Sequence, residues 1–240
     1  MTWLARKGMM RVSGSWTPLS LFASGEQGVW YDPSDLSTLF QDAAGTTPAG
    51  VGDPVGLMLD KSGNGNHASQ ETSSKKPILR LSGGLIYLEF DGVDDFLFAS
   101  SMAASGSAAM FAAIQTTDSL WMLASREDTT AQPWLFICQA GDSGLIFRGA
   151  GGSPAAYVNR VVVSPATRGA FHDAVIGVAA KIVTSPSLDL SSLTSMKFSG
   201  YSAGYDLGGK LYGLAITEAL ASEQLGTMEA YLAQKAGVTL

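Results

Sequence analysis

Short apolar runs and turn clusters alternate along most of the chain. "VGLMLD" ends at Asp60 and "GLIYLEF" comes later; "DFLFAS", "AMFAAIQ", "LWMLAS", "WLFICQ" and "GLIFRG" then follow at roughly ten-residue intervals, the spacing of a β-sandwich. In "GLIYLEF", Ile86, Leu88 and Phe90 fall on one face and Leu85, Tyr87 and Glu89 on the other, which is the two-residue period of a strand. "AYVNRVVV", "FHDAVIGVAAKIV", "SMKFSGY" and "KLYGLAIT" continue the pattern and place His172 in a strand. About a dozen strands are too many for one flat sheet, so two packed sheets are predicted. The expected class is all-β, a two-sheet antiparallel jelly-roll sandwich.

The period changes near the end. In "ALASEQLGTMEAYLAQKAG", Ala221, Leu225, Met228 and Leu232 recur at steps of four, three and four. That is one face of a helix, predicted over about 218–236, with Ser222 as N-cap and Gly237 just past the end. Gly226 inside it costs about 1 kcal/mol relative to Ala, and so short a helix must dock its apolar stripe on the sandwich to persist. Residues 1–20 show no periodicity and carry three of the 15 basic residues. They are read as an N-terminal arm, and residues 21–240 as one sandwich domain including the helix.

Composition narrows the function. Hydrophobic residues make up 46% and charged residues 15%, enough to build a core and too few charges for a disordered chain. A net charge of −6 with no basic stripe argues against a nucleic-acid partner. No apolar run of 18 residues exists, so no membrane insertion is expected. The first residues lack a continuous apolar core, so no leader is expected; the protein stays in the cytoplasm of its producer unless it leaves within a particle. Cys138, the single cysteine, lies in "WLFICQ" and reads as a small buried hydrophobe.

Candidate chemistry is sparse. "DKSGNGNHASQE" carries Asp60, Ser62, Asn64, Gly65 and Glu71 in the order of an EF-hand calcium loop. The flanks do not read as helices, so the loop is taken as a turn of two glycines and two asparagines. "EFDGVDD" holds Glu89, Asp91 and Asp94, near the Glu-x-Asp-x-x-Glu string of laminarinase-like glycoside hydrolases, whose carboxylates sit about 5 Å apart in retaining enzymes. The shorter Asp94, and Gly92 directly after Asp91, favour an acidic strand end. His67 and His172 have no metal-ligand spacing, and no nucleophile elbow is present. Trp121, Trp134 and Tyr157 are expected in the core, whereas Tyr201 and Tyr205 fall in a loop.

"DKSGNGNHA" at 60–68, "YLEFDGVDDFL" at 87–97 and "KLYGLAITEALASEQLGTMEAYLAQKAGV" at 210–238 resemble, in that order, the concanavalin A-like, laminin-G-like jelly-roll superfamily. Residues 28–68 are similar to the opening of jelly-roll proteins of tailed-bacteriophage virions. The resemblance implies attachment or particle structure rather than catalysis, located in a virion. It implies other virion proteins as partners through residues 1–20, homo-oligomerisation, and contact with host surface glycans. The candidate contact residues are Asp60, Asn64, Asn66, Asp94, Asp95, Tyr201 and Tyr205. No residue is assigned to catalysis, a cofactor or a metal. The alternative is a carbohydrate-active enzyme using Glu89, Asp91 and Asp94.

Overall fold

The computed structural model describes residues 16–126, 133–150, 154–199 and 204–240. Along them run β1 (Val29–Tyr31), β2 (Leu39–Phe40), β3 (Leu57–Met58), β4 (Ala68–Ser69), β5 (Ile78–Ser82), β6 (Leu85–Asp91) and β7 (Leu97–Ala99). β8 (Ala108–Thr116), β9 (Leu120–Ser125), β10 (Trp134–Gln139), β11 (Tyr157–Val158) and β12 (Val161–Val162) follow. The rest are α1 (Arg168–Val175), β13 (Lys181–Leu188), β14 (Met196–Phe198), β15 (Gly208–Glu218) and α2 (Ser222–Ala236). The strands form two antiparallel sheets. One has the order β12-β11-β13-β8-β15-β6-β5, with β1 also paired to β15; the other runs β10-β9-β14-β7-β4-β3-β2. The expected two-sheet sandwich with a C-terminal helix is present.

β8 shows why "AAMFAAIQT" is apolar almost throughout. Met110, Ala112 and Ile114 enter the core between the sheets. Ala109, Phe111 and Ala113 enter a second cluster, with Met228 and Leu232 of α2. A strand covered on both faces has no polar side to show. β6 divides as its alternation predicts: Leu88 and Phe90 face the first cluster, and Tyr87 faces the second. Beneath α2 the sheet keeps small residues. A methyl group on Gly213 would lie 2.8 Å from Leu232, so this glycine sets how closely the helix sits.

Several expectations shift. Residues 1–15 of the predicted arm lie outside the described residues. Residues 18–20 open a 3-10 turn, Pro18–Phe22, whose Leu21 and Phe22 are buried in the α2 cluster, and Trp16 meets Tyr231 edge-on at 6.1 Å. His172 is in α1, not a strand. Thr167 caps that helix by accepting from the Ala170 amide at 3.3 Å, and Phe171 packs on Trp121 and Phe136. "AYVNRVVV" is a hairpin, because Asn159 and Arg160 both take positive φ (48° and 68°) between β11 and β12. "GLIFRG" joins its neighbours through isolated bridges and single hydrogen bonds, such as that from the Ile137 amide to the Ile146 carbonyl at 2.8 Å. In α2 the N-cap is Ala221 rather than Ser222, with the Gln224 side chain accepting from the Ala221 amide at 3.2 Å. Gly237 ends the helix at φ 65°, as expected. Cys138 is buried, and burial pushes its thiol up to about 12, so it stays protonated and unreactive near neutrality. Among the described residues no helix is long and apolar enough to cross a membrane.

Candidate functional site

The loop that resembles a calcium site is a clasp on β1. Asp60 is buried, and its carboxylate accepts four hydrogen bonds from the chain. The Trp30 and Ser62 amides reach one oxygen, both at 2.9 Å. The Ser62 hydroxyl (2.7 Å) and the Asn66 amide (3.1 Å) reach the other. The Lys61 amide donates to the Trp30 carbonyl at 2.8 Å, so the loop pairs with the edge of β1 that β15 leaves open. The Gly28 carbonyl receives the side-chain amides of Asn64 (3.1 Å) and Asn66 (3.0 Å). Gly28 itself sits at φ 133°, where a Cβ would be 2.0 Å from the Ile216 carbonyl oxygen. His67 Nδ1 accepts from the Asp60 amide at 3.0 Å, which places the neutral ring's proton on Nε2. A cation needs carboxylate oxygens free of donors, and Asp60 has none. The expected surface role is therefore corrected: Asp60 and Asn66 are buried, Asn64 is half-buried, and all three pin the fold.

Asp94 and Asp95 lie elsewhere, on the rim where β6 ends. Asp91 Oδ1 accepts the amides of Val93 (2.8 Å), Asp94 (3.2 Å) and Asp95 (3.2 Å). Asp95 Oδ2 accepts the Asp91 amide at 3.0 Å. Asp91, Asp94 and Asp95 each bring one oxygen within 4.8 Å of the others. Such a trio could supply three of the six to eight oxygens that calcium takes. Asp95 is only 6% exposed; burial and then the Asp91 charge push its carboxyl up to about 6. Lys75 stands 3.7 Å from Asp94. Asp206 adds a second buried acid, raised by burial, while Lys197 is lowered by burial and lies 4.4 Å over the Phe96 ring. Tyr205, next to Asp206, gives its carbonyl to the Met122 amide at 3.0 Å. Tyr201 lies outside the described residues.

The raised Asp95 carboxyl has a stability consequence. Its folded pKa lies above its unfolded value, so the native state binds the extra proton and loses this contribution as pH rises from about 4 to about 6. Asp95→Asn, which keeps the acceptor for the Asp91 amide, should stabilise the fold by about 1–2 kcal/mol at pH 7 and by nothing below pH 4. Urea unfolding of both proteins at the two pH values checks this.

Beside the acids runs an open cleft of about 520 Å³, lined by Glu89, Asp91, Asp95, Gln115, Asp118 and Lys210 among others. Glycine shapes its floor: a Cβ on Gly208 would fall 2.0 Å from Asp118 Oδ2. Glu89 is held by Arg80 at 2.7 Å. The structure thus brings Asp94 and Asp95 together with Asp91 and leaves the Asp60 loop apart. Sequence reading missed Asp118, Lys197 and Asp206. Lys197 reaches the rim from β14 and the two acids from distant turns, and "QTTD" at 115–118 signals only a turn.

No family model matches the chain, and no curated protein matches it. Among solved structures, it is similar to a crystal structure of an arabinofuranosidase complexed with arabinofuranosyl-alpha-1,2-xylobiose, at 10% identity with a TM-score of 0.45. The match covers 76% of this chain and 51% of that one, so the chain spans about half its length. A likeness at that level says nothing about activity.

Proposed function

We propose that this chain is a non-enzymatic β-sandwich component of a tailed-bacteriophage virion, contacting surface glycans through polar sites outside its core. The virion assignment rests on the resemblance of residues 28–68 and of the three ordered motifs. One observation supports the non-enzymatic part: each acid of the hydrolase-like string already has a partner within the chain. Glu89 is paired to Arg80, Asp91 accepts three turn amides, and Asp94 faces Lys75. A retaining pair needs a free nucleophile opposite a protonated acid. The enzyme reading keeps one observation of its own, the raised Asp95 carboxyl bordering the cleft, since perturbed acids in clefts mark catalytic candidates.

The two readings separate in one experiment. Purified protein incubated with polysaccharide from host cells should retain it on a column and release no reducing ends, and Glu89→Gln should retain it equally. Release of reducing sugar by the wild type, lost in Asp95→Asn, would replace this proposal with a glycoside hydrolase. A virion role predicts that antibody against the chain decorates intact particles, and unlabelled particles would remove it.

A further inference from the structure

Gly226 has no steric duty. A Cβ there would meet only the Arg160 guanidinium, at an ordinary 3.7 Å, yet glycine is a poor choice inside a 15-residue helix. What it leaves is space. Gly226 lines a cavity of about 310 Å³ between the first half of α2, the β11–β12 hairpin and β13.

The walls of this cavity hold one unspent hydrogen-bonding group and a paired acid and base. Thr184 is 3% exposed, and among the described residues its buried hydroxyl has no partner; a native structure seldom leaves such a group unused. Glu229 is buried on α2, and its Oε2 accepts from Arg160 Nε at 2.9 Å. Arg160 also donates to the Gly226 carbonyl at 2.7 Å. The arginine is aimed by a rigid turn: Asn159 exchanges backbone and side-chain hydrogen bonds with Ile182, both at 2.8 Å. Tyr157 and Leu225 add apolar surface.

We propose that this cavity receives one neutral sugar ring. The inference rests on the glycan-contact reading above and gives that reading a site on the helix side of the sandwich, away from the acidic rim. The Glu229 carboxylate disfavours an anion and the Arg160 guanidinium disfavours a cation. Together they offer adjacent hydroxyls an acceptor and donors, as a sugar requires, while Tyr157 and Leu225 face its C–H groups. Ligand sites span roughly 300–1,000 Å³, so this one suits a single ring rather than a chain.

The test is ligand-observed NMR on the full chain with methyl glycosides of glucose, galactose, mannose and N-acetylglucosamine, and glucuronate as a charged control. At least one neutral glycoside should bind with a Kd of about 1 mM and glucuronate should not. Thr184→Val should weaken binding about tenfold and Gly226→Leu should abolish it, each with an unfolding midpoint at or above that of the wild type. The proposal is overturned if no neutral glycoside binds, or if both variants bind like the wild type. Should the wild type and both variants retain host polysaccharide equally, the pocket is wrong and the glycan reading stands. Should the wild type bind neither sugar nor polysaccharide, both fall.

Discussion

Asp60→Ala should cost about 3–5 kcal/mol of unfolding free energy, more than typical surface substitutions. Four donors converge on this carboxylate, at 2.9, 2.9, 2.7 and 3.1 Å. Alanine leaves the Trp30 and Asn66 amides without acceptors in a buried setting, and each such orphan costs about 1–3 kcal/mol. Asp60→Asn should cost about half as much: its Oδ1 can still serve Trp30 and Ser62, but its NH₂ group faces the Asn66 amide, donor against donor. Urea denaturation at pH 7 measures both. A loss below about 1 kcal/mol for Asp60→Ala would show that β1 holds without the clasp. If the loop were instead a calcium site, added calcium would restore stability to the wild type only. The clasp predicts the same midpoint with calcium or with a chelator for the Asp60 contribution, because no oxygen there is free.

What could be read in the chain follows from how local each signal is. The alternation of β6 and the Leu225, Met228 and Leu232 stripe of α2 depend on neighbours along the chain, and both appear where expected, while Ala221, the first position of the expected stripe, caps the helix instead. Phe171 and Val175 are spaced four apart, yet their helix was hidden in a longer apolar stretch that reads as a strand, because the sequence does not show Phe171 packing against Trp121 and Phe136. The hairpin at Asn159-Arg160 was missed because arginine is an unusual residue for positive φ; its side chain is drawn to Glu229, 69 residues away. The Asp60 motif was legible as a turn. Its burial was not, since the partners Gly28 and Trp30 precede it by some 30 residues. The rim acids show the same limit. Asp91, Asp94 and Asp95 are visible as a cluster, but Asp118, Lys197 and Asp206 join them only through the pairing of β8, β14 and β15 with their neighbours.

The second large effect is expected at Asp32, which ties α2 to the start of the chain. This buried carboxylate accepts from the Ser34 amide (3.0 Å) and hydroxyl (2.6 Å) on one oxygen. The other takes the Tyr231 hydroxyl at 2.7 Å and faces the ammonium of Lys235 at 3.0 Å and that of Lys61 at 3.7 Å. Burial alone would raise its pKa; the hydrogen bonds from Ser34, Tyr231 and Lys235 outweigh burial and hold it below the usual carboxylate range. Burial and the neighbouring Asp32 push the Tyr231 phenol well up, so it remains a donor. Asp32→Ala takes the acceptor from Tyr231 and the counter-charge from Lys235, which keeps its hydrogen bond to the Ser34 hydroxyl, and should cost about 2–4 kcal/mol. Hydrogen exchange should then quicken in α2 before it does in β8. The pH dependence has a definite sign. A depressed native pKa means that the unfolded chain binds more protons, so this stability is present above about pH 4 and fades as pH falls towards the native value. Wild-type stability should therefore drop below pH 4, and Asp32→Asn should show a flatter profile across that window. Equal acid slopes in the two proteins would mean that the helix is held by its apolar face alone.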